Sequence, residues 1–492
     1  METKIKITDK KSNTGEKKKF LYESLATELE SKIHQKVFKP GEKLPAIREM
    51  HKQLNKSITT ISKAYEILEQ KDLISARDRS GYFVKGNNHY NLKKPAKSYS
   101  NLSPKLIHRS GLVEEVLGYL GDETKIQLGV AYISPKLFPL SQYSKILKNL
   151  THREIRKTIV FDKPQGILSL RQQISLRYLN LVKNISPEDI IITNGCTEAL
   201  VICLMTLLKK GDTVAIEVPS FYGIFTMLEN MGVFVLELPT DSEHGVDYDA
   251  LKHAVESKGI KCCILNANFH NPLGSLMSDH KKGKIVTFLN NHDIPIIEDD
   301  IYSELYYEKH RPLPLKHFDK KNLVLTCSSF SKTLAPGLRV GWIIPGKKFH
   351  SQILQMKSGI SISTSTLDQY VLAKFIATGR YDKHLRRFRN LLRKQLYMVL
   401  DAINKYFPQE IRMIVPKGGF LLWIQLPDGV NSIKLYKKLL EKNIIILPGP
   451  VCSSSGGFEA YIRLNCGYPF DDVLENALKI IGKQIKSEMM SR

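Results

Sequence analysis

The sequence predicts a multidomain protein. A small helical unit ending in a β-hairpin precedes a large α/β unit with a mainly parallel sheet, which finishes in a smaller α+β subdomain. Three observations carry this. At 492 residues the chain exceeds what one hydrophobic core usually serves. Over residues 18–86 apolar positions recur at helical spacing and then alternate. From residue 126 onward, short apolar runs alternate with helical patterns, as in a parallel sheet covered on both faces.

Composition is that of a globular protein, 42% apolar and 25% charged, with a net charge of +24. Residues 1–110 hold 24 Lys/Arg and 12 Asp/Glu, so +12 falls in under a quarter of the length. That asymmetry suits a polyanion near the N-terminus; a solvated, lysine-rich surface is the alternative. Seven scattered cysteines, with Cys262 beside Cys263, fit a reducing cytosol, and no spacing suggests a metal site. The N-terminus is charged and polar, and the longest apolar run, 199–208, is too short to span a bilayer. A soluble cytoplasmic protein with no membrane partner is expected.

Leu21, Leu25, Leu29 and Ile33 recur at i+4 and predict a helix that stops at Lys39-Pro40-Gly41. A short helix after Pro45 turns Ile47, Met50 and Leu54 inward. Asn55-Lys56 makes a turn, and Ser57 caps a third helix that buries Ile61, Ala64 and Leu68. Near its start that helix presents Thr59, Thr60, Ser62 and Lys63, where a recognition helix meets base edges and phosphates. Residues 73–77 and 82–85 alternate about the turn Asp78-Arg79-Ser80-Gly81, predicting a hairpin wing with a basic tip.

The run Pro40-Gly41-Glu42-Lys43-Leu44-Pro45-Ala46-Ile47-Arg48, the segment from Ser57 to Ala64-Tyr65, and Ser80-Gly81-Tyr82-Phe83-Val84 together resemble a GntR-type winged helix-turn-helix. The resemblance implies binding to a double-stranded DNA operator. Arg48, Ser57, Thr59, Thr60 and Lys63 would lie on the DNA, with Arg77, Arg79 and Gly81 in the wing. Ile58 departs from the family, which usually has arginine there; one lost phosphate contact flattens the salt dependence by about one log–log unit. Residues 87–125 are polar with little periodicity and read as a linker, with a short helix within 111–120.

In the large unit, strand-like runs are 190–193, 213–217, 233–238, 262–266, 295–298, 323–327 and 340–344. After a long basic helical region, 368–407, the smaller subdomain (about 380–490) includes a strand at 420–425. Polar groups cluster where such runs end, the ligand-binding edge of open α/β sheets. Thr193-Asn194-Gly195-Cys196-Thr197 leads into an apolar helix and offers backbone amides to an anion. Asn271-Pro272-Leu273-Gly274 is a turn after another strand, and Glu298-Asp299-Asp300-Ile301-Tyr302 ends a third. Ser328-Ser329-Phe330-Ser331-Lys332, with Gly337, Arg339 and Gly341 behind it, sets a lysine among hydroxyls; a lysine so placed can form a Schiff base with an aldehyde cofactor.

In order and spacing, these pieces resemble the fold-type I pyridoxal-phosphate aminotransferases over roughly residues 126–485, within an aminotransferase-like domain expected at 126–490. The resemblance implies that Lys332 forms the internal aldimine and that Asp299 pairs with the pyridine nitrogen, with Asp300 as rival. It puts Tyr302 and Asn271 on the phenolic oxygen. Ser329, Arg339, Gly195, Cys196 and Thr197 would hold the phosphate, and Arg463 would clamp a substrate carboxylate. Two positions depart. Phe161 stands where a tyrosine often reaches the partner subunit's cofactor, and Phe221 where a tyrosine often stacks on the ring; phenylalanine still stacks.

A winged helix joined to an aminotransferase-like domain resembles the MocR subfamily of GntR regulators. That implies a homodimeric, pyridoxal-phosphate-dependent transcriptional regulator that senses an amine, an amino acid or the cofactor itself at Lys332. The alternative is a working aminotransferase carrying a DNA-binding module, since a sensor needs much the same residues.

Overall fold

The i+4 spacing at the start of the chain becomes helix α1 (Leu21–His34). Leu25, Leu29 and Ile33 are buried against Met50 of α2 (Ile47–Leu54) and Ile61, Ala64 and Leu68 of α3 (Ile58–Gln70). Leu21 does not join them: as the first residue of α1 it stays 64% exposed. The computed structural model describes residues 20–35, 37–38, 42–70, 73–77, 81–84, 92–96, 102–107, 111–119 and 121–490. It divides into two units, Met1–Asn91 and Leu92–Arg492.

In the first unit Asn55 adopts the left-handed conformation (φ 48°) that turns α2 into α3. Ser57 caps α3, its Oγ accepting from the Thr60 amide at 3.1 Å. Strands β1 (Ile74–Arg77) and β2 (Gly81–Val84) pair antiparallel with Ile74 opposite Val84. Residues 42–44 add an edge through Leu44 N–H to Tyr82 O and Val84 N–H to Glu42 O, both 2.8 Å. Buried Tyr65 ties these parts together: its hydroxyl donates to Pro45 O at 2.8 Å and its ring meets Tyr82 edge-on. The helix stop at Pro40-Gly41 and the wing tip at residues 78–80 lie outside the described residues.

In the second unit the strands run β3 (Ile126–Gln127), β4 (Ile191–Thr193), β5 (Thr213–Val218), β6 (Phe234–Asp241), β7 (Gly245–Val246), β8 (Cys262–Leu265) and β9 (Ile296–Asp299). They continue as β10 (Val324–Ser329), β11 (Gly341–Ile344), β12 (Leu421–Gln425), β13 (Ile444–Ile445), β14 (Leu447–Pro448) and β15 (Tyr461–Asn465). Eight form one sheet in the order β4-β11-β10-β9-β8-β5-β6-β7, parallel except where β11 and β7 run against their neighbours. The apolar runs are continuous because both faces are buried. Ile191, Ile216 and Ile264 face one core, whereas Ile192, Ala215 and Leu265 face others.

The run 199–208 fills most of the helix Gly195–Leu207, which Leu208 caps, and Ala199, Leu200, Ile202, Cys203 and Leu204 are buried. A second, small sheet, β12-β15-β14, sets Arg463 opposite Trp423 and Leu447. The basic region 368–407 is not one helix. Gly379, at φ 68°, ends Thr366–Ala377 before Arg380–Tyr406 begins. The expected linker contributes the short helix Leu112–Gly118. Other parts of it are tied to the second unit: Lys105 exchanges both backbone hydrogen bonds with Val235, and Met413 N–H donates to Lys93 O.

Strands β4, β9 and β10 end at one edge, and β11 holds two of those ends together. Gly341 pairs with Thr193 on one side and Ser329 on the other. A Cβ at Gly341 would lie 2.5 Å from Gly195 C and 2.8 Å from Ser328 O, both backbone. Gly341→Ala is therefore expected to cost about 1–3 kcal/mol in thermal or denaturant unfolding. Gly337→Ala, with open space around it, should change stability by less than about 0.5 kcal/mol.

Candidate functional site

The three strand ends bring Lys332, Asp299 and the Gly195 turn together. Lys332 follows β10, and its Nζ donates to the carbonyl of Ala131. Burial and the Arg463 guanidinium disfavour its ammonium form, Asp299 and Cys196 oppose them, and its pKa is lowered from 10.5 to about 8. Asp299 closes β9. Burial pushes its carboxyl up to about 6, while the Ile301 amide (3.3 Å) and the Cys196 thiol (3.7 Å) both donate to Oδ1. Asp300 is the rival in sequence but not in space. Its Oδ1 accepts from Asn268 at 2.8 Å, and its Oδ2 accepts from Ser303 at 2.6 Å and Arg311 at 3.3 Å.

Gly195 sits at φ 80°, and a Cβ there would strike the Arg339 guanidinium at 2.6 Å. The guanidinium is held over the turn by Nη2 donating to Asn194 O at 3.1 Å. The Cys196 and Thr197 amides fall in the first turn of helix Gly195–Leu207, where backbone donors lack intrahelical acceptors. Ser329 is buried close by, its Oγ accepting from the Ser331 amide at 3.2 Å. Phe221 packs partly buried against the core under this helix.

Arg463 has no solvent exposure. Its Nη1 donates to Asn271 Oδ1 at 2.8 Å and its Nη2 to Gly129 O at 2.5 Å. Its Nε has no hydrogen-bond partner, and no ion pair to a described carboxylate forms. Tyr302 is 1% exposed, and its hydroxyl is also without a partner. Two buried polar groups thus point to chemistry the chain does not itself complete.

Sequence reasoning missed several supporting residues. Glu198 locks the turn by accepting from the Asn194 amide (2.6 Å) and its side-chain amide (2.9 Å), and buried Lys357 pairs with it at 3.5 Å. The Asn194-to-Glu198 spacing of one helical turn was the available signal. Thr333, next to Lys332, is gripped by the Tyr381 hydroxyl on Oγ1 (2.7 Å) and by His384 Nε2 on its carbonyl (2.8 Å). Burial raises the pKa of the Tyr222 hydroxyl, next to Phe221, and the Arg463 charge opposes that rise. Phe161 does not reach the cluster; with Ile159 and Val160 it is largely exposed.

In the first unit Arg48, Ser57, Thr59 and Lys63 are exposed. Lys63 Nζ lies 5.2 Å from the Tyr22 ring centre, and the Thr60 hydroxyl is bonded to that of Ser57 at 2.8 Å. Ile58 stands half exposed at the head of α3. Arg77 pairs with Gly81 across the hairpin, and Gly81 takes φ 101°. Arg79 lies outside the described residues.

Two family models match the chain: bacterial regulatory proteins of the gntR family over residues 21–84, and aminotransferase class I and II over residues 139–481. A protein of Escherichia coli K12 named HTH-type transcriptional regulator YjiR is 36% identical over 95% of this chain and 99% of its own. The HTH-type transcriptional regulator NorG of Staphylococcus aureus is 26% identical over 90% of this chain and 99% of its own. The crystal structure of LysN, an α-aminoadipate aminotransferase from Thermus thermophilus, matches with a TM-score of 0.72 at 25% identity. It covers 78% of this chain and 97% of the LysN chain.

The lowered Lys332 pKa has a measurable consequence. The initial rate at which added pyridoxal phosphate is captured by Lys332, read by borohydride quench and peptide mapping against pH, should rise with the neutral amine and reach half its plateau near pH 8. A midpoint at the ordinary lysine value of 10.5 would contradict the placement.

Proposed function

We propose, from the premise that the chain belongs to the aminotransferase class I and II family and carries a gntR-family regulatory domain in the MocR arrangement, that it is a pyridoxal-phosphate-dependent transcriptional regulator. Its large unit senses an amine, an amino acid or the cofactor itself through Lys332. The observation that carries this is the pairing of an easily deprotonated Lys332 with a buried Arg463 that lacks a carboxylate.

The residues fit the cofactor. Tyr302 offers a buried, unpartnered hydroxyl, and the missing Cβ of Gly195 lets the Arg339 guanidinium lie over the turn beside the first-turn amides. When bound, pyridoxal phosphate supplies an electrophilic carbonyl carbon that exchanges one amine for another, and a ring that withdraws electrons. Lys332 Nζ provides the resident amine, reactive because burial and Arg463 make its neutral form accessible near neutral pH. Asp299 would hold a proton on the pyridine nitrogen, its carboxylate kept facing inward by the Ile301 amide and the Cys196 thiol.

Tyr302 and Asn271 would orient the phenolic oxygen. Arg339, Ser329 and the Gly195-Cys196-Thr197 turn would hold the phosphate through charge and backbone N–H groups. Arg463 would take an effector carboxylate, which relieves the cost of a buried, unpaired guanidinium. The first unit would bring Arg48, Ser57, Thr59, Thr60 and Lys63 to DNA, with the wing residues Arg77, Arg79 and Gly81. The proposal includes a homodimer, supported by the exposed apolar run at Ile159, Val160 and Phe161 (77%, 66% and 80%). It also includes a cytoplasmic setting, where such a DNA target is found; no described helix is long and apolar enough to cross a membrane.

Turnover of an amino donor and a keto acid without a specific footprint would favour the aminotransferase reading instead. The direct test is a footprint on the chain's own upstream DNA, with and without pyridoxal phosphate, for wild type and Lys332→Ala. A protected region that responds to the cofactor in wild type and not in the variant is expected; the same response in both removes the sensing role. Binding of N-(5′-phosphopyridoxyl)-L-leucine tests Arg463 separately. Arg463→Gln should weaken it by about 2–5 kcal/mol, since one partner of a buried charge pair is lost. A change under about 0.5 kcal/mol would exclude the carboxylate role.

A further inference from the structure

The helix Arg380–Tyr406 carries eight lysines and arginines against two aspartates. Its faces differ sharply. On one, Tyr381 and His384 hold Thr333 while Phe388 and Leu392 pack into the core. On the other, Lys383, Arg386, Arg387 and Lys394 are exposed at helical spacing. Asp382 is the only acid in this half of the helix, and Arg177 takes it at 2.8 Å. None of the four cations makes an ion pair with a described residue. Further along the same helix Lys405 pairs with Glu475, and elsewhere in the unit Lys374 and Lys417 pair with Glu154 and Glu308. Like charges at this spacing weaken a helix slightly, and an anionic partner laid along the row would offset that.

We propose that this face binds the phosphate backbone of double-stranded DNA. The proposal rests on the DNA-binding reading above and extends it to the large unit. From Lys383 to Lys394 the row is roughly 16 Å long at 1.5 Å per residue. Duplex DNA presents a charge about every 1.7 Å of its axis, so a row of that length faces enough phosphates to engage every cation in it. The contact reads no bases and adds affinity and salt dependence rather than sequence preference. The same rigid helix grips Thr333, so the face and the Lys332 turn share one structural element.

The test uses the full-length chain and a random-sequence duplex on the order of 40 bp, followed by fluorescence anisotropy across a KCl series. In Lys383→Ala/Arg386→Ala/Arg387→Ala the slope of log affinity against log salt should fall by about 2.7 units, 0.9 for each lost contact. Affinity at about 0.1 M salt should drop at least ten-fold. Bound pyridoxal-phosphate absorbance and the thermal midpoint should stay at wild-type values, since the three side chains are exposed. Arg48→Ala, in the first unit, should lower the slope by about one unit and serves as the reference. Equal slopes for wild type and the triple variant, with Arg48→Ala still reduced, overturn the face and leave the DNA-binding reading intact. A wild-type chain with no measurable affinity for DNA overturns both.

Discussion

A guanidinium withdrawn from water and given no carboxylate is costly to keep, and Arg463 is in that position. Asn271 and Gly129 satisfy part of it with neutral oxygens, and its charge reaches Lys332 and lowers the pKa of that lysine. Arg463 has no carboxylate partner among the described residues, whereas Asp299 favours the charged form of Lys332 against burial and the Arg463 charge. Under the proposed function, the carboxylate of an amino-acid effector would supply the anion that Arg463 lacks. The arrangement around the Gly195 turn serves the same end. Gly341 and Gly195 let β4, β10 and β11 approach closely enough to line up the first-turn amides, Arg339 and Lys332 at a single edge.

Much of this was legible in the chain because the chemistry sits at strand ends, and those ends are marked by local signals. The turn at Gly195, the lysine after β10 and the carboxylates after β9 each stand where an apolar run stops. Adjacent carboxylates were harder, since Asp299 and Asp300 look alike in sequence. The fold separates them, because successive residues leaving a strand face opposite sides, and Asn268, Ser303 and Arg311 claim Asp300. What stayed hidden depends on residues far apart in the chain. Tyr381 and His384 reach Thr333 across about fifty positions, and Lys357 reaches Glu198 from the helix His350–Ser361, which packs beside Gly195–Leu207 over the same core. No periodicity encodes such pairs. The polar segment 87–125 carries no apolar periodicity, yet its backbone pairing with Val235 and Arg412 needs no apolar side chain.

The two units pose the physical question of coupling. A ligand at Lys332 can alter DNA binding only if it binds two arrangements of the protein with different affinity. The helix Arg380–Tyr406 is one element able to carry such a difference, since it touches the Lys332 turn and runs into the small subdomain that bears Arg463. Any such coupling is reciprocal: if the ligand changes affinity for DNA by some factor, DNA changes affinity for the ligand by the same factor.

That reciprocity supplies the most direct measurement. The affinity of the full-length chain for pyridoxal phosphate would be determined by titration, with and without a saturating duplex from its own upstream region. A sensor in which Lys332 and the winged helix are linked gives two different affinities, and their ratio equals the ratio of DNA affinities measured with and without cofactor. Identical cofactor affinities in the presence and absence of bound DNA would mean that the two units act independently, and would contradict the account.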